Sequence, residues 1–242
     1  MAGASAERQE NGLIKAIKDA VKANKKNPVT LVAGDIMVTG VIDAEKYTGR
    51  QAGGSEPYTD VVVKCYDGTE VNLSCKGPSA PSLAGGGLKG LELAVPGIAS
   101  KFMKTAFTHL SKKLKLKPGD KVPDVFGKIS GNDKLKIVVG NKAMGGPIDF
   151  MYIGPMDVTQ KYDAKKNTVT VSGNLFPAKD YAKSHDLYFR LRARREDQRF
   201  DPVAKDAKGV PKIYGKSPSK GDSAGRIVVT DSVPSTAVVV QL

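Results

Sequence analysis

The chain has 242 residues, 40% of them hydrophobic, and 38 Lys and Arg against 25 Asp and Glu give a formal net charge of +13. That length and apolar content support a real core in one large domain, and the charge favours polyanionic partners, DNA first, RNA second. No apolar run approaches the ~18 residues that a spanning helix needs, so no membrane role is expected.

The opening MAGASAERQE carries no signal-peptide core, and two cysteines exclude a disulfide framework. Both observations fit a reducing, cytoplasmic setting. Cys65, Cys75, His109 and His185 lack the spacing of a structural zinc site, and the cysteines sit in apolar strand patterns as buried thiols.

In chain order, residues 7–26 read as a helix. Leu13, Ile14, Ile17 and Val21 recur at helical spacing, Lys15, Lys18 and Lys22 lie opposite, and Asn27-Pro28 ends it. Short strands follow at 29–32 and 36–42, then a Gly-rich loop at 49–57. A hairpin comes next, 59–65 and 70–76, around Asp67-Gly68. Residues 77–90 form a Gly/Pro/Ser/Ala loop. Its Ala84–Gly90 run lacks the Gly-Lys-Ser/Thr ending of a P-loop and reads as a flexible loop. A basic helix over 98–114 buries Phe102, Ala106 and Leu110. Strands are predicted at 135–139, 148–153, 168–171, 186–194, 227–230 and 237–240, with a short helix at 177–183. Residues 201–225 read as a long basic loop. No composition break divides the chain, so the expectation is a single domain.

Period-two geometry puts Glu70, Asn72, Ser74 and Lys76 on one face of the second hairpin strand, with Val71, Leu73 and Cys75 on the core face. Where Asp60 points depends on the turn. A two-residue Asp67-Gly68 loop sets Asp60 opposite Cys75. A three-residue Tyr66-Asp67-Gly68 loop with left-handed Gly68 sets it opposite Ser74, with Lys76 as diagonal neighbour. In the second case an acid and a lysine share a face, which suits phosphodiester hydrolysis: carboxylates hold a divalent ion, and the lysine orients water or stabilises the transition state. Glu10 lies along the apolar stripe of the first helix and is a candidate second carboxylate, with Glu7 one turn earlier as its alternative.

These residues resemble the PD-(D/E)xK, restriction-endonuclease-like nuclease superfamily: Glu10 on an opening helix, Asp60 in Pro57-Tyr58-Thr59-Asp60, and a strand ending in Lys76. Glu7-Arg8 followed by Leu13-Ile14 is also similar to the opening helix of archaeal Holliday-junction resolvases. The resemblance covers residues 7–76. It implies an α/β (α+β) fold with a mixed central β-sheet flanked by helices, the nuclease-like core at 7–117 and a β-rich extension at 118–242. It implies Mg2+- or Mn2+-dependent cleavage of DNA, with Asp60 and Glu10 as metal ligands, Lys76 assisting the attacking water and Ser74 as a supporting contact. The sequence departs from the pattern at Ser74, where the family has Asp or Glu, and at Tyr58-Thr59, which interrupt the Pro-Asp pair. Glu70 shares the face of Lys76 but lies about 20 Å away at ~3.3 Å per residue, too far to share an ion.

Lys101, Lys104, Lys112 and Lys113 on the basic helix, and Arg190, Arg192, Arg194 and Arg195 on the strand near 186–194, are the expected nucleic-acid contacts. The competing reading of each is a solvated charged face. His185 beside Asp186 reads as a surface or capping histidine. Two rivals to the endonuclease stand. One is a non-catalytic DNA-binding protein that keeps the fold, as in phage head, neck or packaging components, with homo-oligomer or virion assembly. The other is an RNA-binding protein of a ribonucleoprotein.

Overall fold

The computed structural model describes residues 2–49, 57–78, 87–192, 199–205, 209–211, 213, 216–217, 221–222 and 226–242. Its elements in chain order are α1 (Ala2–Ala23), β1 (Val29–Ala33), β2 (Ile36–Lys46), β3 (Val61–Cys65), β4 (Glu70–Lys76), α2 (Gly87–Ala94), α3 (Ile98–Thr108), β5 (Val125–Ile129), α4 (Gly131–Val139), β6 (Phe150–Ile153), β7 (Gln160–Asp163), β8 (Thr168–Val171), β9 (Asn174–Pro177), α5 (Ala178–Ser184), β10 (Leu187–Arg192), β11 (Lys216–Ser217), β12 (Gly221–Asp222), β13 (Arg226–Thr230) and β14 (Val238–Gln241). A π-helical turn, His109–Lys113, continues α3, and a 3-10 turn, Lys142–Met144, follows α4. The fold is mixed α/β, with mixed sheets and flanking helices, as the sequence predicts. Among the described residues no helix is long and apolar enough to cross a membrane.

The chain forms two compact units. The first comprises Met1–Pro81 with Val138–Ser184, the second Ser82–Ile137 with His185–Leu242. The division expected from the sequence falls at 117/118, whereas the chain crosses between the units at 81/82, 137/138 and 184/185, and the second unit holds most of the excess of Lys and Arg over Asp and Glu.

In the first unit, eight strands run in the order β7-β8-β1-β2-β3-β4-β6-β9. From β2 to β4 the pairs are antiparallel, β4 and β6 are parallel, and β6 and β9 are antiparallel. Leu13, Ala16, Ile17, Ala20 and Val21 of α1 form the stripe that packs with Val29, Leu31, Val41, Ala44, Val61, Val63, Leu73 and Tyr152 of the sheet. Lys15, Lys18 and Lys22 stay exposed on the far side. The amphipathic period of α1 thus selects one face of the sheet, and burial of that stripe is the main force holding helix to sheet.

In the second unit, four strands run β13-β10-β5-β14, with β14 parallel to β5 at one edge. Ile98, Ala99, Phe102 and Ala106 of α3 are buried, with Leu110 beyond them. The Phe102 ring stacks on Phe189 with centroids 5.6 Å apart. It lies so close over Gly127 that a Cβ there would sit 2.5 Å from Phe102 Cδ2.

One predicted strand is a helix. Leu135–Val139 alternates and is β-branched, yet it forms the end of α4, with Ile137 and Val138 buried side by side and Asp133 paired with Lys136 at 3.5 Å. Packing of the two adjacent apolar residues overrides the local strand preference. Of the expected loop at 201–225, the two-residue strands β11 and β12 pair with each other, and much of the rest lies outside the described residues.

The Gly127→Ala substitution should destabilise the protein by about 1–3 kcal/mol, because the fully buried Phe102 ring has no room to retreat. Urea unfolding followed by far-UV circular dichroism measures this. A midpoint equal to wild type would show that the ring yields.

Candidate functional site

The β3–β4 turn decides where the acid at position 60 points. Cys65 and Thr69 are joined by a backbone N–H to carbonyl bond of 2.9 Å, Gly68 N–H donates to Cys65 O at 3.0 Å, and Gly68 has φ +84°. Asp67 Oδ1 accepts the Thr69 N–H at 2.9 Å. The loop is therefore the three-residue Tyr66-Asp67-Gly68 form, whose left-handed position favours glycine. Val61 pairs with Leu73 and Lys64 with Glu70, so Asp60 stands opposite Ser74.

The side chains meet accordingly. Asp60 Oδ2 accepts the Cys75 N–H at 2.6 Å and the Ser74 hydroxyl at 3.2 Å, and Lys76 Nζ lies 3.8 Å away. Both Asp60 and Lys76 are largely shielded, at 22% and 16% side-chain exposure, so this pair is screened less than a surface one. The two residues that interrupt the Pro-Asp pair have a structural role. Tyr58 and Thr59 are buried, and their N–H groups donate to the carbonyls of Met144 and Gly145, which ties the approach to β3 against the 3-10 turn.

On the other side of the sheet, α1 brings a second pair. Glu10 Oε2 lies 2.9 Å from Lys46 Nζ at the end of β2, and Glu7 is 4.0 Å from the same ammonium. Glu10 is buried and Glu7 exposed, which separates the two candidates on α1. Burial holds the Glu10 carboxyl above its ordinary value of 4.5, the Lys46 bond opposes this, and the charge of Asp60 adds to the rise. Lys46 is correspondingly raised, first by its bond to Glu10.

Neighbouring Gln9 is almost wholly buried. Its amide nitrogen donates to Gly154 O at 2.7 Å, Lys76 O at 3.0 Å and Pro155 O at 3.3 Å, which clamps α1 to the ends of β4 and β6.

Asp60, Ser74 and Lys76 meet on one face of the hairpin, as the three-residue turn predicts, while Glu10 comes from the other side of the sheet. α1 packs on the face formed by Val61, Leu73 and Cys75, opposite to that of Ser74 and Lys76. Glu10 therefore approaches from the far face and reaches Asp60 only through space, at the end of the sheet where the acid precedes β3. The charges of Asp60, Lys76 and Glu10 all bear on the Cys75 thiol, which desolvation pushes well above its usual range. Glu70 is exposed at the opposite end of β4.

The sequence reading missed Lys46 and Gln9. The first was hidden because β2 runs four residues beyond the predicted strand end, the second because its partners are carbonyls 67 to 146 positions away.

Among the described residues no group of three or more His, Cys, Asp or Glu side chains converges as a metal cage. Magnesium can be bound by one or two acids and otherwise by water and phosphate, and Asp60 and Glu10 bear on each other electrostatically from opposite faces of the sheet. Asp60 and Glu10 are the residues that would hold it.

The expected nucleic-acid contacts belong to the second unit. Lys101, Lys104, Lys112 and Lys113 are exposed on α3 and the π-helical turn. Arg190 departs from the expected phosphate-tracking row: its guanidinium pairs with Asp124 at 2.6 Å and lies 5.5 Å over the Phe126 ring centroid. A carboxylate and a ring face engage it within the fold, while its Nε has no hydrogen-bond partner among the described residues. The side chain of Arg192, and Arg194 and Arg195 whole, lie outside the described residues. His185 has its carbonyl bonded by Lys134 Nζ at 2.8 Å.

Comparison with protein-family models, with curated proteins and with solved structures finds no match to this chain.

Replacing Gln9 by Leu removes the donor shared by three carbonyls, and should cost about 1–3 kcal/mol in urea unfolding. An unchanged midpoint would mean that water replaces the amide freely. A second outcome concerns pH. With its folded pKa above the unfolded one, Glu10 binds its proton more tightly when folded, so its contribution to stability falls as pH rises from about 4.5 through the folded value. The stability of Glu10→Gln relative to wild type should therefore climb between pH 4.5 and 7.5. A flat or falling difference would overturn the assignment.

Proposed function

We propose that this protein is a metal-dependent endonuclease of the PD-(D/E)xK type that hydrolyses phosphodiester bonds in DNA. The observation that carries the reading is the register that sets Asp60, Ser74 and Lys76 on one face of the β3–β4 hairpin, with Glu10 of α1 in electrostatic reach. Hydrolysis of a phosphodiester requires an activated water and neutralisation of the charge that develops on phosphorus.

Each residue has a part in that reading. Asp60, fixed by the Cys75 N–H and the Ser74 hydroxyl, and Glu10, fixed by Lys46, would hold the metal. A bound magnesium ion supplies charge neutralisation at the phosphate and acidifies a water. Lys76 sits beside Asp60, placed to orient the attacking water and to offset negative charge in the transition state. The water oxygen would bond to phosphorus as its proton passes to bulk water, the bridging P–O bond would break, and the leaving alkoxide would take a proton from bulk water. Ser74 stands where the family has an acid, so Glu10 supplies the second carboxylate from the neighbouring helix.

One observation favours a different reading. Each acid already has a lysine partner, Lys76 for Asp60 and Lys46 for Glu10, so the cluster is charge-balanced within the protein. A DNA-binding protein that keeps the fold without hydrolysis would be built this way.

Supercoiled plasmid incubated with protein and magnesium separates the two. The endonuclease reading expects nicked and linear DNA, abolished by chelation and reduced about 100-fold or more in Asp60→Ala, in line with the loss of a principal electrostatic contributor to the transition state. Intact plasmid with wild type at all magnesium and manganese concentrations, together with binding that weakens steeply with salt, would establish the non-catalytic reading.

A further inference from the structure

α3 and the π-helical turn carry a row of cations that have no ion-pair partner among the described residues. Lys101, Lys104, Thr108 and Lys112 recur at three-, four- and four-residue steps, which places them on one face of the helix. The opposite face, with Phe102, Ala106 and Leu110, is buried. The turn then widens: Leu114 N–H donates to His109 O and Leu116 N–H to Leu110 O, both at 3.0 Å. The extra residue in this turn brings Lys113 to the same cleft as Lys112. Inserted π turns occur often at functional sites.

The cleft has a volume of about 610 Å³ and lies between this helix face and the edge strand β14. Lys104, Lys112 and Lys113 rim it, Val239–Gln241 form its other wall, and no acidic side chain among the described residues lines it. Among the described residues no carboxylate lies within ion-pair distance of Lys101, Lys104, Lys112 or Lys113, whereas Lys128 and Arg190 of the same unit are paired with Asp186 and Asp124.

We infer that this cleft is a binding site for the sugar–phosphate backbone of a nucleic acid, separate from the carboxylate site of the first unit. Compensation of the helix dipole accounts for Lys112 and Lys113 at the C-terminal end, but not for Lys101 and Lys104 in the body of α3. Residues 101 to 112 span about 16 Å at ~1.5 Å per residue, room for two or three successive phosphates. A cationic rim beside the apolar, exposed Val239 matches a chain of alternating phosphates and sugars better than a free inorganic anion. The lysines project from a helix fixed by the Phe102–Phe189 stack, so the row is a preformed surface.

The test uses the full-length chain with Asp60→Ala, in EDTA, so that binding is read whether or not the first unit cleaves DNA. Fluorescence anisotropy is measured with a 20-base-pair DNA duplex, the matching single-stranded DNA and the matching RNA. The cleft variant Lys104→Glu/Lys112→Glu/Lys113→Glu is set against Lys161→Glu/Lys165→Glu/Lys166→Glu, three exposed lysines of the first unit with the same change in net charge.

The expected result is a Kd at least 10-fold weaker for the cleft variant and within about 2-fold for the control, with the slope of log Kd against log salt reduced by about 2 to 3. The ligand bound most tightly names DNA or RNA as the source of the backbone. Equal losses in both variants would reduce the effect to net charge and overturn the proposal, as would unchanged binding by the cleft variant. If the Glu variant fails to give a native circular dichroism spectrum, the Lys→Gln triple at the same positions carries the test under the same two criteria.

Discussion

The pairing of Val61 with Leu73 governs the chemistry available to the first unit. One residue of slippage in β4 would exchange Ser74 and Cys75, turning a thiol toward Asp60 and two charged groups into the core. What prevents this is local: a three-residue loop with Gly68 in a left-handed conformation and the Asp67 carboxylate holding the Thr69 N–H. The apolar pattern reinforces the same register, since Val61, Val63 and Leu73 bury together against α1. Turn chemistry and hydrophobic patterning agree, and such agreement makes a register unique.

The charges around that hairpin form two acid–lysine pairs approaching the sheet end from opposite faces. Desolvating a carboxylate is costly unless a cation or hydrogen bonds compensate, and the two acids here are supported differently. Asp60 is held by an N–H, a hydroxyl and a more distant ammonium. Glu10 depends on one close ammonium, and its raised affinity for protons records that weaker support. The Gln9 amide is the mechanical partner of this electrostatics, because it fixes the height of α1 along β4 and therefore where Glu10 can reach.

Much of this was legible in the residues themselves. The stripe of α1, the hairpin and its dependence on Gly68 follow from periodicity and turn preferences, both short-range properties. The side of the sheet from which Glu10 arrives did not follow, because helical spacing tells that Leu13 and Glu10 share a stripe but not which strand face the stripe covers. Lys46 and Gln9 escaped for a related reason: their partners lie far away in sequence and leave no local pattern. Arg190 shows the converse limit. Alternation put it in a row with Arg192 and Arg194, but gave no sign of the neighbours that absorb its charge, Asp124 and Phe126, which come from another strand and its approach. In α4, contact between Ile137 and Val138 and their surroundings outweighed a pattern that reads as a strand.

The discontinuity of the two units has a bearing on how the chain acquires its structure. Strands β4 and β6 lie side by side, yet Leu73 meets Phe150, 77 positions later, because residues 82–137 belong to the other unit. Contacts closed over such distances lose more chain entropy before they form and slow the search for the native state. During synthesis the α1–β4 segment emerges first with the β6 edge of its sheet unpaired, and that edge stays open until the ribosome has reached Phe150, 74 positions beyond Lys76. An open strand edge of this kind is where chains associate wrongly. The Gly-rich and charged composition around β4 is then as much a safeguard for the nascent chain as a property of the finished one.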